Sequence, residues 1–514
     1  MLGKREPQRR LSSAGVQLPA EAIDKMGFYG KLARYGYTVF RDEDFSDVYS
    51  SDNGRPSCPP SLLALARLLQ HYEDISDADV IDRCRYDLRW KVALDLDLYS
   101  IQAPFARSTY QAFRARLTLG ERDGLAFEAS VRAAAKAGLV PDTLRLAIDS
   151  SPVNGKGAVR DTYNLISHAI AIVLRVLARH RGVTAADLAA KTRLERHVSA
   201  GSVKGSQVVD WTDEQAKQVF LGGLLADAGR IVAMARRAGV ATHEVALLDK
   251  VIAQDVEHGR GKRPRIRQGV APDRMPSVAD PQIRHGRKSS GKTYTGHKAH
   301  LAVEASTGII AAVDVTTPAT PDGEQLRSLV EQTVKLTGKP VDIVLGDCAY
   351  GTRTATEQAT EANVTPVTRM PSPPTGRYGP ADFHVSQDGM TACCPAGIPS
   401  ASQRPHDDDW IHRWSRTDCA DCTLKPQCTT AKSRTLSVAP DFHQRRERER
   451  YAQTEQGRAV LRERMAIEHA IGRLKNLGAG AARYFGRAKT RSQLRWTAAV
   501  ANLSLTWTQP QPAS

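Results

Sequence analysis

Leu144, Leu146 and Ile148 alternate with Arg145 and Ala147 and run straight into Asp149-Ser150-Ser151-Pro152. Apolar residues at every second position mark a short buried strand, and the polar turn with its proline forbids an immediate continuation of a central ladder. A carboxylate at the C-terminal end of a strand is where an open α/β sheet presents its chemistry. Alone the pattern is weak, because many strand-end aspartates only cap the next turn. A second stretch repeats it: Ile343, Val344 and Leu345 are closed by Gly346 and Asp347, and Gly351 releases the chain. A third is helical. Over residues 456–478, Arg464, Glu468 and Lys475 fall at i, i+4 and i+11 and share one face, so that Glu468 is flanked by two cations. Two strand-end aspartates and one helix glutamate, far apart in the chain, form the pattern of a divalent-metal site for phosphoryl transfer.

These residues resemble the Asp-Asp-Glu triad of the DDE transposases of bacterial insertion sequences, in the branch with a Tyr-Arg-Glu-Lys helix signature. Arg464, Glu468 and Lys475 stand at the signature's spacing, while Leu461 occupies its tyrosine position. Other motifs follow in the family's order over residues 25–505. They are Asp149-Ser150-Ser151-Pro152-Val153, Asp280-Pro281 with Arg284 and Gly286, Gly296-His297-Lys298-Ala299-His300, and Asp347 with Tyr350-Gly351. The resemblance implies a ribonuclease-H-like catalytic core and two Mg²⁺ ions, with Mn²⁺ as substitute. In it Asp149 bridges both ions, Asp347 holds one and Glu468 the other. It also implies that water first frees a 3′-hydroxyl at an element end and that this hydroxyl then attacks target DNA. Arg464 and Lys475 become phosphate clamps, and the partners are terminal inverted repeats and target DNA, engaged by a homodimer.

Charge agrees with a polyanionic partner. Lys and Arg number 72 against 56 acidic residues, giving +16 and a pI near 9.5. The 514 residues exceed one ordinary core and imply two or three domains. No apolar core follows Met1-Leu2-Gly3-Lys4, and no apolar run is expected to approach the ~18 residues of a membrane span. The expected location is cytoplasmic, at the nucleoid and away from membrane. Eight cysteines there argue for thiols or metal rather than disulfides.

Taken in order, residues 1–25 read as a basic flexible arm. Residues 26–140 read as a helical domain, with Leu62, Leu65, Leu69 and Tyr72 on one face and Tyr110, Phe113 and Leu117 on another. Arg107, Arg114 and Arg116 point elsewhere, which suits either a helix-turn-helix DNA reader or a plain bundle; the resemblance favours DNA. The catalytic domain is expected over 141–370 and 441–508, with a helical insertion over about 160–260. A hairpin of strands 300–304 and 308–315, a helix over 322–337, the Asp347 strand, a helix over 352–362 and a strand over 364–368 give an α/β fold, a mixed sheet with helices on both faces. Between His258 and His300 eleven Lys and Arg face only Asp273 and Asp280, a basic loop suited to phosphates.

Residues 371–440 form a Cys-rich insert. Cys419, Cys422 and Cys428, completed by Cys394 or Cys393, match a tetrahedral sulfur site for structural zinc, favoured here over free thiols. After Glu468 no acidic residue precedes Trp496. Arg487, Lys489 and Arg491 there, with Lys298 and the two clamps, are the expected DNA-binding residues, and Tyr484, Phe485 and Trp496 are expected to be mostly core. The competing readings are a DNA-binding protein without chemistry, including a degenerate transposase, and a nuclease of the same fold.

Overall fold

Period-2 apolar runs separated by turn residues dictate a short-stranded sheet, and the chain is built on one. The computed structural model describes residues 1–5, 18–50, 56–199, 201–205, 208–258, 263–289, 291–369 and 374–508. The sheet comprises β1 (Leu144–Asn154), β2 (Arg284–Ser289), β3 (Lys292–Glu304), β4 (Ile310–Thr316), β5 (Val341–Gly346) and β6 (Thr365–Thr368). Its path runs β2-β3-β1-β5-β6, with β4 also on β3. β3 is antiparallel to β1, β2 and β4, whereas β1, β5 and β6 are mutually parallel. This mixed sheet is that of a ribonuclease-H-like fold.

Two expected boundaries move. β1 does not stop at Asp149 but stays paired to β3 through Pro152↔Lys298 to Asn154↔Gly296. Peptide N–H groups alternate between the two edges of a strand, and that of Asn154 points away from β3, to Gly480 O at 2.9 Å. Pro152, two residues earlier, therefore lacks an N–H only where β3 would not have received it. β3 begins at Lys292 rather than at residue 300, because its first half pairs with β2 in a largely exposed ribbon that carries no apolar alternation.

β1 and β3 touch closely at Gly296, opposite the end of β1 and Gly155 just beyond it. A Cβ on Gly296 would lie 2.0 Å from Val153 O and 2.4 Å from Gly155 N. Gly296→Ala must push the two strands apart just beyond Asp149. We expect a loss of about 3 kcal/mol in denaturant unfolding, and an unchanged midpoint would show that the strands do not approach this closely.

The N-terminal domain packs α1 (Pro60–Glu73), α2 (Arg107–Leu119) and α3 (Leu125–Lys136) around Leu65, Leu69, Trp90 and Phe113. Of the expected arm, Arg5 is docked on this bundle, its guanidinium paired with Asp95 and 3.6 Å above the Tyr37 ring, and Ala20–Asp24 form a short helix. Residues 6–17 lie outside the described residues. After β1 come the helices α4 (Thr162–His180), α5 (Glu214–Ala238) and α6 (Thr242–Asp255), which share their own core. Contrary to expectation, α5 is long and apolar enough to cross a membrane by length and composition, but its Leu221, Leu224 and Ile231 are spent on that core.

One face of the sheet is covered by α7 (Leu326–Thr337), whose Leu326, Leu329 and Val330 meet Leu146, Ile148 and Val344. The other is covered by α8 (Glu455–Arg462), α9 (Met465–Asn476) and α10 (Arg487–Thr506), through Leu461, Ile467, Leu474 and Ala498. The single helix expected over 456–478 is thus broken at Glu463 and Arg464, where the bonds tighten to i→i+3, as from Ile467 N to Arg464 O. α10 is buried nearly all round: Trp496, Val500 and Leu503 enter the N-terminal core while Leu494, Ala498 and Ala501 enter the sheet's. Asn502 fixes it to β4 by a reciprocal pair, Nδ2 to Ile310 O and Oδ1 from Ile310 N, both 2.9 Å.

Candidate active site

β1 and β5 are neighbouring parallel strands in the register Ala147↔Leu345. Continued by two residues, that register brings Asp149 and Asp347 out side by side. Asp347 is fixed by the Ala349 N–H, which donates to its Oδ1 at 2.9 Å and caps the following turn. Asp149 accepts from Ser150 N at 2.7 Å. Burial pushes the Asp149 carboxyl up to about 6; the Asp347 and Asp322 charges add to this, and Ser150 N–H and Arg464 oppose it.

Glu468 reaches Asp149 through Arg464. One guanidinium nitrogen of Arg464 lies 3.3 Å from Asp149 Oδ2 and the other 2.5 Å from Glu468 Oε1. The break before α9 seats Arg464 at its first turn, pointing back over the strand ends, while Glu468 stays 54% exposed one turn on. Lys475 lies further along the same helix, near enough for Asp149 and Lys288 to act on it. Burial lowers its ammonium, Lys288 lowers it further, and Asp149 raises it.

Among the described residues no three His, Cys, Asp or Glu side chains are arranged to hold one metal ion. The donors nonetheless fit a hard divalent cation. Two carboxylates leave adjacent strands, one of them, Asp149, kept reluctant to ionise by burial and by its neighbour's charge, and Glu468 is joined to Asp149 through the Arg464 guanidinium.

Three further side chains stand around the site: Asp322, which no sequence motif marks, Tyr350 of the Tyr350-Gly351 motif, and Lys288 of the basic stretch. Asp322, at the turn before α7, accepts from Lys298 Nζ at 3.1 Å and lies 3.9 Å from His300 Nδ1. Tyr350 is fully buried near Asp322, Asp149 and Asp347, and among the described residues its hydroxyl has no hydrogen-bond partner. Lys288 stands exposed on the β2–β3 ribbon beside Lys475. Only a pairing of β2 with β3 could have placed Lys288 there, and no apolar pattern announces it.

The expected DNA-binding residues divide. Lys298 is occupied by Asp322 and Thr320 O, and Arg491 lies 3.8 Å from both Asp123 and Asp314. Arg487 is half-buried at the start of α10, and Lys489 is exposed. Trp496 is core as expected, whereas Phe485 is 47% exposed. Farther along the chain, Cys394, Cys419 and Cys422 all bear on the Cys428 thiol, which burial raises. Cys393 instead pairs with His384 in a short ladder.

Two family models match the chain, one described as Transposase DDE domain over residues 261–503 and one as Transposase domain over 30–116. The chain belongs to the DDE transposases of insertion sequences. Nothing matches it among curated proteins or among solved structures. The family comprises metal-dependent polynucleotidyl transferases, and DNA is the substrate class it implies. In this transposase the matched DDE span begins only after the helical insertion, yet β1, which carries Asp149, is seated between the two matched strands β3 and β5.

Proposed function

We propose that this transposase binds the ends of its own element and cuts and joins DNA strands there, with Asp149, Asp347 and Glu468 as the ligands of two Mg²⁺ ions that Mn²⁺ can replace. The observation that supports this is the shared guanidinium: Arg464 links Asp149, the half-buried strand-end partner of Asp347, to the one glutamate that the helix signature singles out. When bound, the ions supply Lewis-acid stabilisation to the attacking and leaving oxygens of an in-line displacement.

The chain's own residues do the rest. Asp149 spans the site from β1, Asp347 flanks it from β5, and Glu468 swings in from α9. Arg464, released from the carboxylates, turns to the scissile phosphate, and Lys475 and Lys288 hold the backbone beside it. Water is the first nucleophile and the freed 3′-hydroxyl the second, as the family resemblance implies. The chain fits the Tyr-Arg-Glu-Lys branch with one change: Leu461, at the tyrosine position, is buried against the sheet and serves packing rather than DNA. The assembly we propose is a homodimer on terminal inverted repeats, acting at the nucleoid in the cytoplasm.

The test is a supercoiled plasmid bearing the element's ends, with cleavage and joining scored separately. A transposase gives both with Mg²⁺ or Mn²⁺. Cleavage without joining assigns a nuclease, and binding without cleavage assigns a degenerate or purely DNA-binding chain.

We also propose that Cys394, Cys419, Cys422 and Cys428 bind structural zinc, because this segment has only a small core of its own around Trp414, Phe383 and Leu436. Metal analysis should find one zinc per chain, and a chelator should lower the melting temperature. Zinc-free protein with a melting temperature unmoved by chelator would leave four free thiols.

A further inference from the structure

Arg67 projects from α1 toward α10 and is 3% exposed. Its guanidinium lies 4.4 Å from the centre of the Trp496 ring, and Nη2 donates to Ser492 Oγ at 3.1 Å. Nε has no partner, and among the described residues no carboxylate lies within ion-pair distance. A buried cation without a counter-charge costs several kcal/mol, so such groups are almost always paired. The neighbouring Arg114 shows the ordinary arrangement, with Asp77 gripped through both nitrogens at 2.6 and 2.7 Å.

Arg67 lines a cavity between α2 and α10, at the seam of the N-terminal domain and the catalytic core. Gln111, Arg114, Tyr484, Lys489 and Ser492 line it with Arg67. Lys489 is exposed at its mouth. The cavity wall therefore carries one buried guanidinium with no carboxylate partner among the described residues, a hydroxyl and an exposed ammonium, beside the apolar Ala115 and Leu119, with Asp77 already consumed by Arg114. Burial lowers Arg67 to about 10, leaving it charged at neutral pH.

We infer that this cavity is a phosphate site, filled by one backbone phosphate of the bound DNA, with Arg67 and Ser492 at its floor and Lys489 at its rim. This rests on the reading of DNA as the substrate and adds a contact to it. A planar guanidinium matches phosphate oxygens, and Lys489 adds a point charge. The contact ties α1 and α10 together, so DNA held there would be fixed to both domains at once.

The test uses full-length protein carrying Arg67→Met or Lys489→Ala, with terminal-repeat DNA titrated across a range of salt. Arg67→Met removes an unpaired buried charge but keeps an apolar stem on Trp496. The DNA-free protein should melt at the same or a higher temperature, while DNA affinity falls on the order of tenfold and the log–log salt slope loses about 0.9. Lys489→Ala, at an exposed position that cannot compromise folding, should show a like loss of slope and a smaller loss of affinity. Inorganic phosphate, against chloride at equal ionic strength, should raise the melting temperature of the parent and not of Arg67→Met. DNA affinity and slope equal to the parent's in both variants would overturn the assignment, even with the phosphate shift present, since the cavity would then take a free anion only. A parent that binds no DNA, yet keeps the Arg67-dependent phosphate shift, faults the transposase reading and not the cavity.

Discussion

Glu468→Gln is expected to lower Mg²⁺-dependent strand cleavage about a thousandfold or more, since it removes a metal-facing charge from the stabilisation of the transition state. Affinity for terminal-repeat DNA should stay within about twofold, because Lys and Arg contacts to phosphates supply it. The change keeps the side chain's shape, and Glu468 is 54% exposed on its helix, so the fold has little to lose. Gel-shift titration and plasmid cleavage on the same preparation separate the two effects. Cleavage at the parent's rate would make Glu468 a surface residue whose only task is to pair with Arg464.

Asp149→Asn should abolish cleavage and, without divalent metal, make the protein more stable at neutral pH. The Asp149 carboxyl sits at about 6 in the fold. That is above the ~3.9 of an unfolded chain, so ionising it costs the folded state. Below about pH 4 the group is protonated in both states and the variant gains nothing. As pH rises through 6 the parent accumulates the full penalty, and the asparagine variant escapes it. That penalty is about 2–3 kcal/mol, since each tenfold change in the ionisation equilibrium is worth about 1.4 kcal/mol. Mg²⁺ should restore the parent and leave the variant unmoved. Denaturant unfolding in chelator at pH 4 and pH 7.5 reads the difference directly. A variant less stable than the parent at pH 7.5 would mean that the Arg464 pair, not burial, governs this carboxylate.

Much of the candidate site's layout was legible because its parts are local. Asp149 and Asp347 each follow an apolar run, and a strand exit can be read from a handful of residues. Their adjacency follows once the two strands are parallel neighbours. Glu468 is different: periodicity put it on a face with Arg464 and Lys475, but only the family resemblance proposes a catalytic role for that face. The break at Glu463 and Arg464 was invisible, since both residues keep helical backbone angles and no proline or glycine marks the change.

Other features depend on pairing partners that no local pattern reveals. The β2–β3 ribbon is polar on both faces, so the long first half of β3 and the place of Lys288 left no period-2 trace. Charge runs misled for a related reason. Lys298 and Arg491 look free in sequence, but Asp322 and Asp314, distant in the chain, meet them in the fold. Arg67 is the reverse case, unremarkable in an apolar helix and yet buried with no carboxylate at ion-pair distance among the described residues.

Whether Asp149, Asp347 and Glu468 form one divalent site can be decided by a crystal structure of the protein on terminal-repeat DNA with Ca²⁺ in place of Mg²⁺. We predict anomalous density among the three carboxylates, and Arg464 moved from Asp149 and Glu468 onto a DNA phosphate. Ca²⁺ bound elsewhere on the DNA complex, with Arg464 still joining Asp149 to Glu468, would contradict a shared site.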